Sequence, residues 1–239
     1  MRGRANFISI PPRNEALVAT IQANGRPEVN ILDASGSSKY IFYRAIGSQP
    51  FTEIPVSDSP KLLDQGNANV QKYCYYTKYI DVCGNISENS PTVCTIQLTG
   101  IGKTLDWNVP LSVPNATIAY DVVRLNPTSV VVTQPANTFL VTPIQANETY
   151  QIIANITFTI SGIPTVVQSI SNTFTTDFQS KLYFPSAFTP NGDGINDVFE
   201  IKQNDDAQIR DFEIIIFNKW GEIIFNSSKN RRILGWKSQ

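Results

Sequence analysis

The sequence predicts an all-β protein built from tandem sandwich modules, and three observations carry that reading. Several segments alternate apolar and polar residues with a period of two. No stretch sustains the 3.6-residue apolar period of an amphipathic helix. Short candidate strands are separated by turns rich in Gly, Pro and Asn, and the strand pattern recurs after about 80 residues, the size of one small sandwich.

Residues 1–12 read as a linker. Their basic start, Met1-Arg2-Gly3-Arg4, is not followed by the roughly 7–15-residue apolar run of a secretory leader. A first module is expected over 13–98, with strands at 16–22, 28–33, 39–45, 51–54, 72–82 and 92–98. A second is expected over 99–178, with strands at 104–109, 117–124, 129–133, 138–141, 150–160 and 166–175. A third, incomplete domain is expected over 181–239.

The clearest strand is 150–160. Tyr150, Ile152, Ala154, Ile156, Phe158 and Ile160 fall on one face, and Gln151, Asn155, Thr157 and Thr159 on the other. Ile118, Tyr120 and Val122 share a face in the same way, as do Tyr73, Tyr75, Thr77 and Tyr79. This is the pattern of half-buried antiparallel strands. The internal repeat lies in these segments: 38–44 is echoed by 118–124, and the strand opening at Tyr73 by the one opening at Tyr150. An alternating aromatic ladder of this kind reads first as core and sheet face, because aromatic side chains dominate sandwich burial.

Composition excludes several activities. The chain has no histidine, so no Ser-His-Asp or Cys-His nucleophile system and no His-ligated metal can be built from its own residues. A net charge of −1 leaves no electrostatic footprint for nucleic acid or an anionic membrane surface. No segment approaches the roughly 18 consecutive apolar residues of a membrane span. Carboxylate pairs exist, but nothing in the sequence places two of them across a cleft for glycoside hydrolysis. The sequons at Asn85, Asn115, Asn147, Asn155 and Asn226 are what a Thr- and Asn-rich β protein produces by chance.

Cys74, Cys83 and Cys94 lie close together at the end of the first module. They lack the paired spacing of a zinc ribbon, and clustering in an all-β chain suits an oxidising compartment. With the loop placed at 84–90, Cys83 and Cys94 flank it, and a short bridge between those two is expected. Three reduced thiols are the alternative.

The most informative stretch is 182–199. Tyr183 and Phe184 end a strand that Pro185 limits. Pro190-Asn191-Gly192-Asp193-Gly194 is dense in residues that tolerate positive φ, and Asn196-Asp197 adds two more oxygen-bearing side chains. Residues 212–217 form a continuous apolar strand, Asn218-Lys219-Trp220-Gly221 a turn, and 222–225 the returning strand. Asn191, Asp193, Asn196 and Asp197 resemble half of an acidic calcium loop, although the closing bidentate Glu is absent. Capping of the turn's own backbone is the competing use of those residues.

Two family resemblances follow from these residues. Trp107 in a second strand, Tyr73 and Tyr150 opening long sixth strands, and the Asp81-x-x-Gly84-Asn85 turn resemble fibronectin type III modules. The run Phe184-Pro185-x-Ala187-Phe188-Thr189-Pro190-Asn191-Gly192-Asp193-Gly194-x-Asn196-Asp197-x-Phe199, followed by Asn218-Lys219-Trp220-Gly221-Glu222 and Gly235-Trp236, resembles the gliding-motility-associated C-terminal domain. That family is the type B sorting domain of the type IX secretion system of Bacteroidetes. The resemblance implies an address read by outer-membrane export machinery and a protein delivered to the cell surface or medium. It assigns fold or recognition roles to Phe188, Thr189, Pro190, Asn191, Gly192, Asp193, Gly194, Asn196, Asp197, Trp220, Gly221 and Trp236. The family runs on past Gly-Trp-Asp-Gly, whereas here Trp236 is followed by Lys237-Ser238-Gln239, so the domain reads as truncated.

The expectation is therefore a non-enzymatic spacer-and-label protein, with fibronectin-like sandwiches ahead of the sorting domain. Its partner is the type IX machinery, and no cofactor is required apart from the calcium option. The alternative is an adhesin whose sandwiches bind a cell-surface glycan or protein.

Overall fold

The computed structural model describes residues 10–34, 39–111, 116–142, 147–176, 182–187, 189, 191–195, 197, 199, 202–203 and 213–227. Every regular element among them is a strand. The chain divides into two compact units, Met1–Leu140 with Glu148–Thr175, and Val141–Asn147 with Thr176–Gln239.

Among the described residues, the first unit holds fourteen strands in two groups of seven. The first group is β1 (Leu17–Ile21), β2 (Pro27–Ile31), β3 (Lys39–Ile46), β4 (Thr52–Glu53), β5 (Lys61–Leu63), β6 (Tyr73–Ile80) and β7 (Val93–Cys94). The second is β8 (Leu98–Ile101), β9 (Thr104–Trp107), β10 (Ala116–Leu125), β11 (Thr128–Gln134), β12 (Thr138–Leu140), β13 (Thr149–Ile160) and β14 (Ile163–Thr175). Each group forms a three-stranded and a four-stranded sheet. The orders are β1-β2-β5 with β4-β3-β6-β7, then β12-β9-β8 with β11-β10-β13-β14. The connectivity is identical in both groups, so the chain carries two copies of one fibronectin III-like sandwich.

Packing follows the alternation. In β13, Tyr150, Ile152, Ala154, Ile156 and Phe158 are buried, while Ile160 at the hairpin end is half-exposed. Trp107 of β9 is buried and meets Tyr120 of β10 edge-on, with ring centroids 5.5 Å apart. That contact joins the two sheets of the second sandwich and adds about 0.5–1.5 kcal/mol beyond area burial.

Both sandwiches also carry an ionic knot of the same design. In the first, Arg44 Nη1 donates to Asp64 Oδ1 at 2.9 Å and the Tyr75 hydroxyl donates to Oδ2 at 2.8 Å. In the second, Arg124 Nη1 donates to Glu148 Oε1 at 3.2 Å and the Tyr150 hydroxyl to Oε2 at 2.6 Å. Arg44 stands opposite Tyr75, and Arg124 opposite Tyr150. The structural counterpart of Tyr150 is therefore Tyr75, not Tyr73 as the sequence repeat suggests. A two-residue slip keeps every side chain on the same face of a strand, so periodicity alone does not reveal it.

The structure makes three further corrections. Strand β5 was not expected: Lys61-Leu62-Leu63 shows no alternation, and only Leu62 is partly buried. Residues 92–98, expected as one strand, instead contain the whole of the two-residue β7, a connector at 95–97 and the first residue of β8. Thr95 and Ile96 of that connector are fully buried, so it shows neither the polar nor the Gly/Pro signature of a linker.

The expected Cys83–Cys94 bridge is not formed. Cys74 and Cys94 are disulfide-bonded, and Cys83 is free and exposed. The cause is the position of the turn. Asp81 Oδ1 accepts hydrogen bonds from the N–H groups of Cys83 and Asn85, both at 2.8 Å, and Oδ2 accepts from the Asn85 side-chain amide at 3.0 Å. The chain therefore reverses over 81–85 instead of 84–90. Ile86 already bridges back to Ile80, and Cys94 arrives directly opposite Cys74.

In the second unit, β15 (Leu182–Tyr183) pairs with β16 (Lys202–Gln203), and β17 (Ile214–Phe217) pairs with β18 (Ile223–Ser227) across a bulge.

Candidate functional site

Two turns of the second unit hold the described site residues. Thr189, Asn191, Gly192, Asp193, Gly194 and Asp197 belong to one, Trp220 and Gly221 to the other. Phe188, Pro190, Asn196 and Trp236 lie outside the described residues.

The first turn is tied by its own side chains. The Asn191 N–H donates to the Thr189 carbonyl at 2.8 Å. Asp197 accepts from the N–H groups of Gly192 and Gly194, each at 2.7 Å, through its two carboxylate oxygens. Asp193 accepts from the Asn191 side-chain amide at 2.9 Å and from the Ile195 N–H at 2.7 Å. These donors hold the Asp193 carboxyl below its usual range, the Asn191 amide contributing most. Gly192 and Gly194 sit at φ of 79° and 83°, where a β-carbon is disfavoured. The four-oxygen pattern that resembled a calcium loop thus serves, in Asp193 and Asp197, to cap backbone amides. Among the described residues, no group of three or more His, Cys, Asp or Glu side chains is placed to hold a metal ion.

The second turn joins β17 to β18. Asn218 Oδ1 accepts from the N–H groups of Trp220 and Glu222 at 2.9 and 3.0 Å. Its amide donates to Glu222 Oε2 at 2.7 Å, and Gly221 supplies a φ of 86°. Trp220 is thereby held at the tip, 75% exposed, with Lys219 Nζ 4.4 Å from the centre of its ring. Phe217 and Ile223 beside it are also exposed. Asn218 and Lys219, expected as part of this turn but not among the site residues named above, make its capping bonds and its ring contact.

An aromatic cluster also lies on the four-stranded sheet of the first sandwich. Tyr43 and Tyr76 stack at 4.6 Å, and Phe51 meets Tyr76 edge-on at 4.9 Å. The Tyr43 hydroxyl donates to Glu53 at 2.8 Å. Burial and that acceptor push the phenol up to about 12. The two tyrosine rings are half-buried and turned on each other.

Fold and turns together define an all-β chain of repeated sandwiches that also carries two side-chain-capped turns, one of them presenting an exposed tryptophan. Residues 182–239 match the CHU_C type IX secretion signal domain. Such a domain is recognised by the type IX secretion machinery and directs export across the outer membrane, to the cell surface or the extracellular space. The chain is thus a type IX secretion-targeted protein. A search of curated proteins returns no relative of this chain. Among solved structures it is similar to the FN1–FN3 domains of chicken CNTN1, at 11% identity and a TM-score of 0.29, over 68% of this chain and 69% of that one. It is also similar to the central fibronectin III array of RIM-binding protein, at 11% identity and a TM-score of 0.28, over 80% and 79% of the two chains. Sorting domains and fibronectin-like sandwiches are non-catalytic kinds of fold. Among the described residues no helix is long and apolar enough to cross a membrane.

Proposed function

We propose that this chain is the spacer-and-signal portion of a surface or secreted Bacteroidetes protein and performs no catalysis. The domains on this reading are 13–98, 99–178 and 181–239. The two sandwiches separate the export signal from whatever stands ahead of them, and the signal domain is read by the outer-membrane machinery. Within that domain the two turns divide the labour. The Asn191–Asp197 turn is a folding element, because Asn191, Asp193 and Asp197 are bonded within it. The Lys219–Trp220 tip is the recognition element.

The observation that carries this division is Trp220. A tryptophan 75% exposed on a turn pinned by Asn218 adds little to folding stability and offers a large apolar surface to a partner. Trp220→Ala is expected to leave the thermal melt within about 0.5 kcal/mol of the parent and to lower the exported fraction several-fold. Unchanged export would remove the tip from recognition.

The adhesin alternative draws on Tyr43, Tyr76 and Phe51. Because the tyrosine faces are turned on each other, the cluster reads better as sheet-face packing than as a sugar platform. No calcium role is proposed, since the carboxylates of the first turn already serve its backbone.

A further inference from the structure

We infer that the two sandwiches are sewn into one cooperatively folding body by a strap that the second lays along the first. The inference concerns folding and stiffness and does not depend on the functional reading above.

The strap follows from strand lengths. Strands β10, β13 and β14 have 10, 12 and 13 residues, whereas β8, β9 and β12 on the facing sheet have 4, 4 and 3. At about 3.3 Å per residue, the long sheet reaches roughly 40 Å and its partner about 13 Å. Much of the long sheet is therefore left uncovered by the second sandwich itself. Even so, Ile156, Phe158 and Ser169, in the overhanging part of the β13–β14 hairpin, are at most 3% exposed.

Strand β1 of the first sandwich lies there. Ser169 Oγ donates to the Ala19 carbonyl at 2.6 Å, and the Ile170 N–H donates to Thr20 Oγ1 at 2.9 Å. Both bonds land on β1, the outer strand of its sheet. A buried bond of this kind is expensive to break, because it strands a carbonyl or an amide away from water.

A second seam runs along β7. The Cys94 N–H donates to the Pro110 carbonyl at 2.6 Å, and Val93 bridges to Leu111, so the last strand of the first sandwich pairs with the segment after β9. The connector is held from both sides. The Thr95 N–H donates to the Tyr73 carbonyl at 2.8 Å. Asn108 Oδ1 accepts from the Gln97 N–H at 2.7 Å, and its amide donates to the Thr95 carbonyl at 3.2 Å. Both outer strands of the first sandwich that face the junction, β1 and β7, are thus closed by the second sandwich. Edges that would otherwise be open to other chains become an internal joint, and the pair of sandwiches is stiff instead of beaded.

Segment-resolved hydrogen exchange on the full chain tests this. Val29, in β2 of the first sandwich, is fully buried, and Val29→Ala is expected to speed its slowest amides roughly tenfold or more. If the sandwiches open together, the slow amides of β10 and β13 accelerate by the same factor as those of β3 and β6. Acceleration confined to the first sandwich would overturn the inference. Ile31→Val, a milder core change, gives the same comparison if Val29→Ala does not fold. Ser169→Glu, which forces a charge into the seam, is expected to abolish the transmission. Transmission surviving Ser169→Glu would also count against the strap.

Discussion

Asp64→Ala is expected to lower the unfolding free energy by about 3–5 kcal/mol, a large part of the roughly 5–15 kcal/mol that holds a domain folded. The Asp64 side chain is 4% exposed and pairs with Arg44, itself 31% exposed. Its carboxylate also accepts the hydroxyl of Tyr75 and the Gly66 N–H. Removing it leaves a half-buried guanidinium and a fully buried phenol without their acceptor. The pair's own attraction is worth little net, because desolvation offsets most of it; the loss comes from stranding the partners.

The same knot sets the alkaline limit of the fold. Burial first, then the Asp64 charge, raises the Tyr75 hydroxyl well above the ordinary value of 10.0. Tyr75 therefore stays neutral in the folded chain at a pH where the unfolded chain ionises. Its contribution is intact below pH 10 and is lost above it, at up to about 1.4 kcal/mol per pH unit. Tyr150, raised by burial and by Glu148, acts in the same direction. Melting temperature should be flat from neutrality to about pH 10 and fall beyond it. A flat profile well above that pH, or a melt unchanged by Asp64→Ala, would show that the knot is not structural.

Removing the Cys74–Cys94 bridge is expected to cost about 3 kcal/mol. The closed loop spans a sequence separation of 20, and chain-entropy arguments assign roughly 3 kcal/mol to a loop of this size. Cys74→Ser and Cys94→Ser should each produce this loss, and the double substitution should add little more. Cys83→Ser should change stability by less than about 0.5 kcal/mol, since Cys83 is exposed and unbridged. The reverse pattern, with Cys83→Ser as damaging as Cys94→Ser, would reinstate the Cys83–Cys94 pairing. Reductant titration of the parent chain reads the same quantity without substitution.

Much of the fold is legible in the sequence because burial in a sandwich imposes a period of two. Tyr150, Ile152, Ala154, Ile156 and Phe158 are buried as their alternation requires, and Trp107 stands in the second strand of its sandwich. The sequence fails where register or connection decides the outcome. Periodicity cannot distinguish Tyr73 from Tyr75 as the partner of Arg44, since both point to the core. The run Thr92-Val93-Cys94-Thr95-Ile96-Gln97-Leu98 contains no turn residue, so a buried connector between sandwiches looks like uninterrupted strand. The disulfide depended on where one turn closes, and Asp81 closes it early. At the site, the motif positions could be named, but their roles could not. That Asp193 and Asp197 cap amides while Trp220 stands exposed is set by hydrogen bonds that only the folded turns define.

The central claim is that residues 182–239 are an export address and the sandwiches are cargo-side spacer. The direct measurement places the full chain, and the same chain lacking 182–239, behind an inner-membrane leader in a host with an active type IX system. Surface protease accessibility and release into the medium are then scored for both. The account predicts that the full chain reaches the surface or medium and that the shortened chain remains in the periplasm, folded and disulfide-bonded. Equal export of the two chains would contradict it.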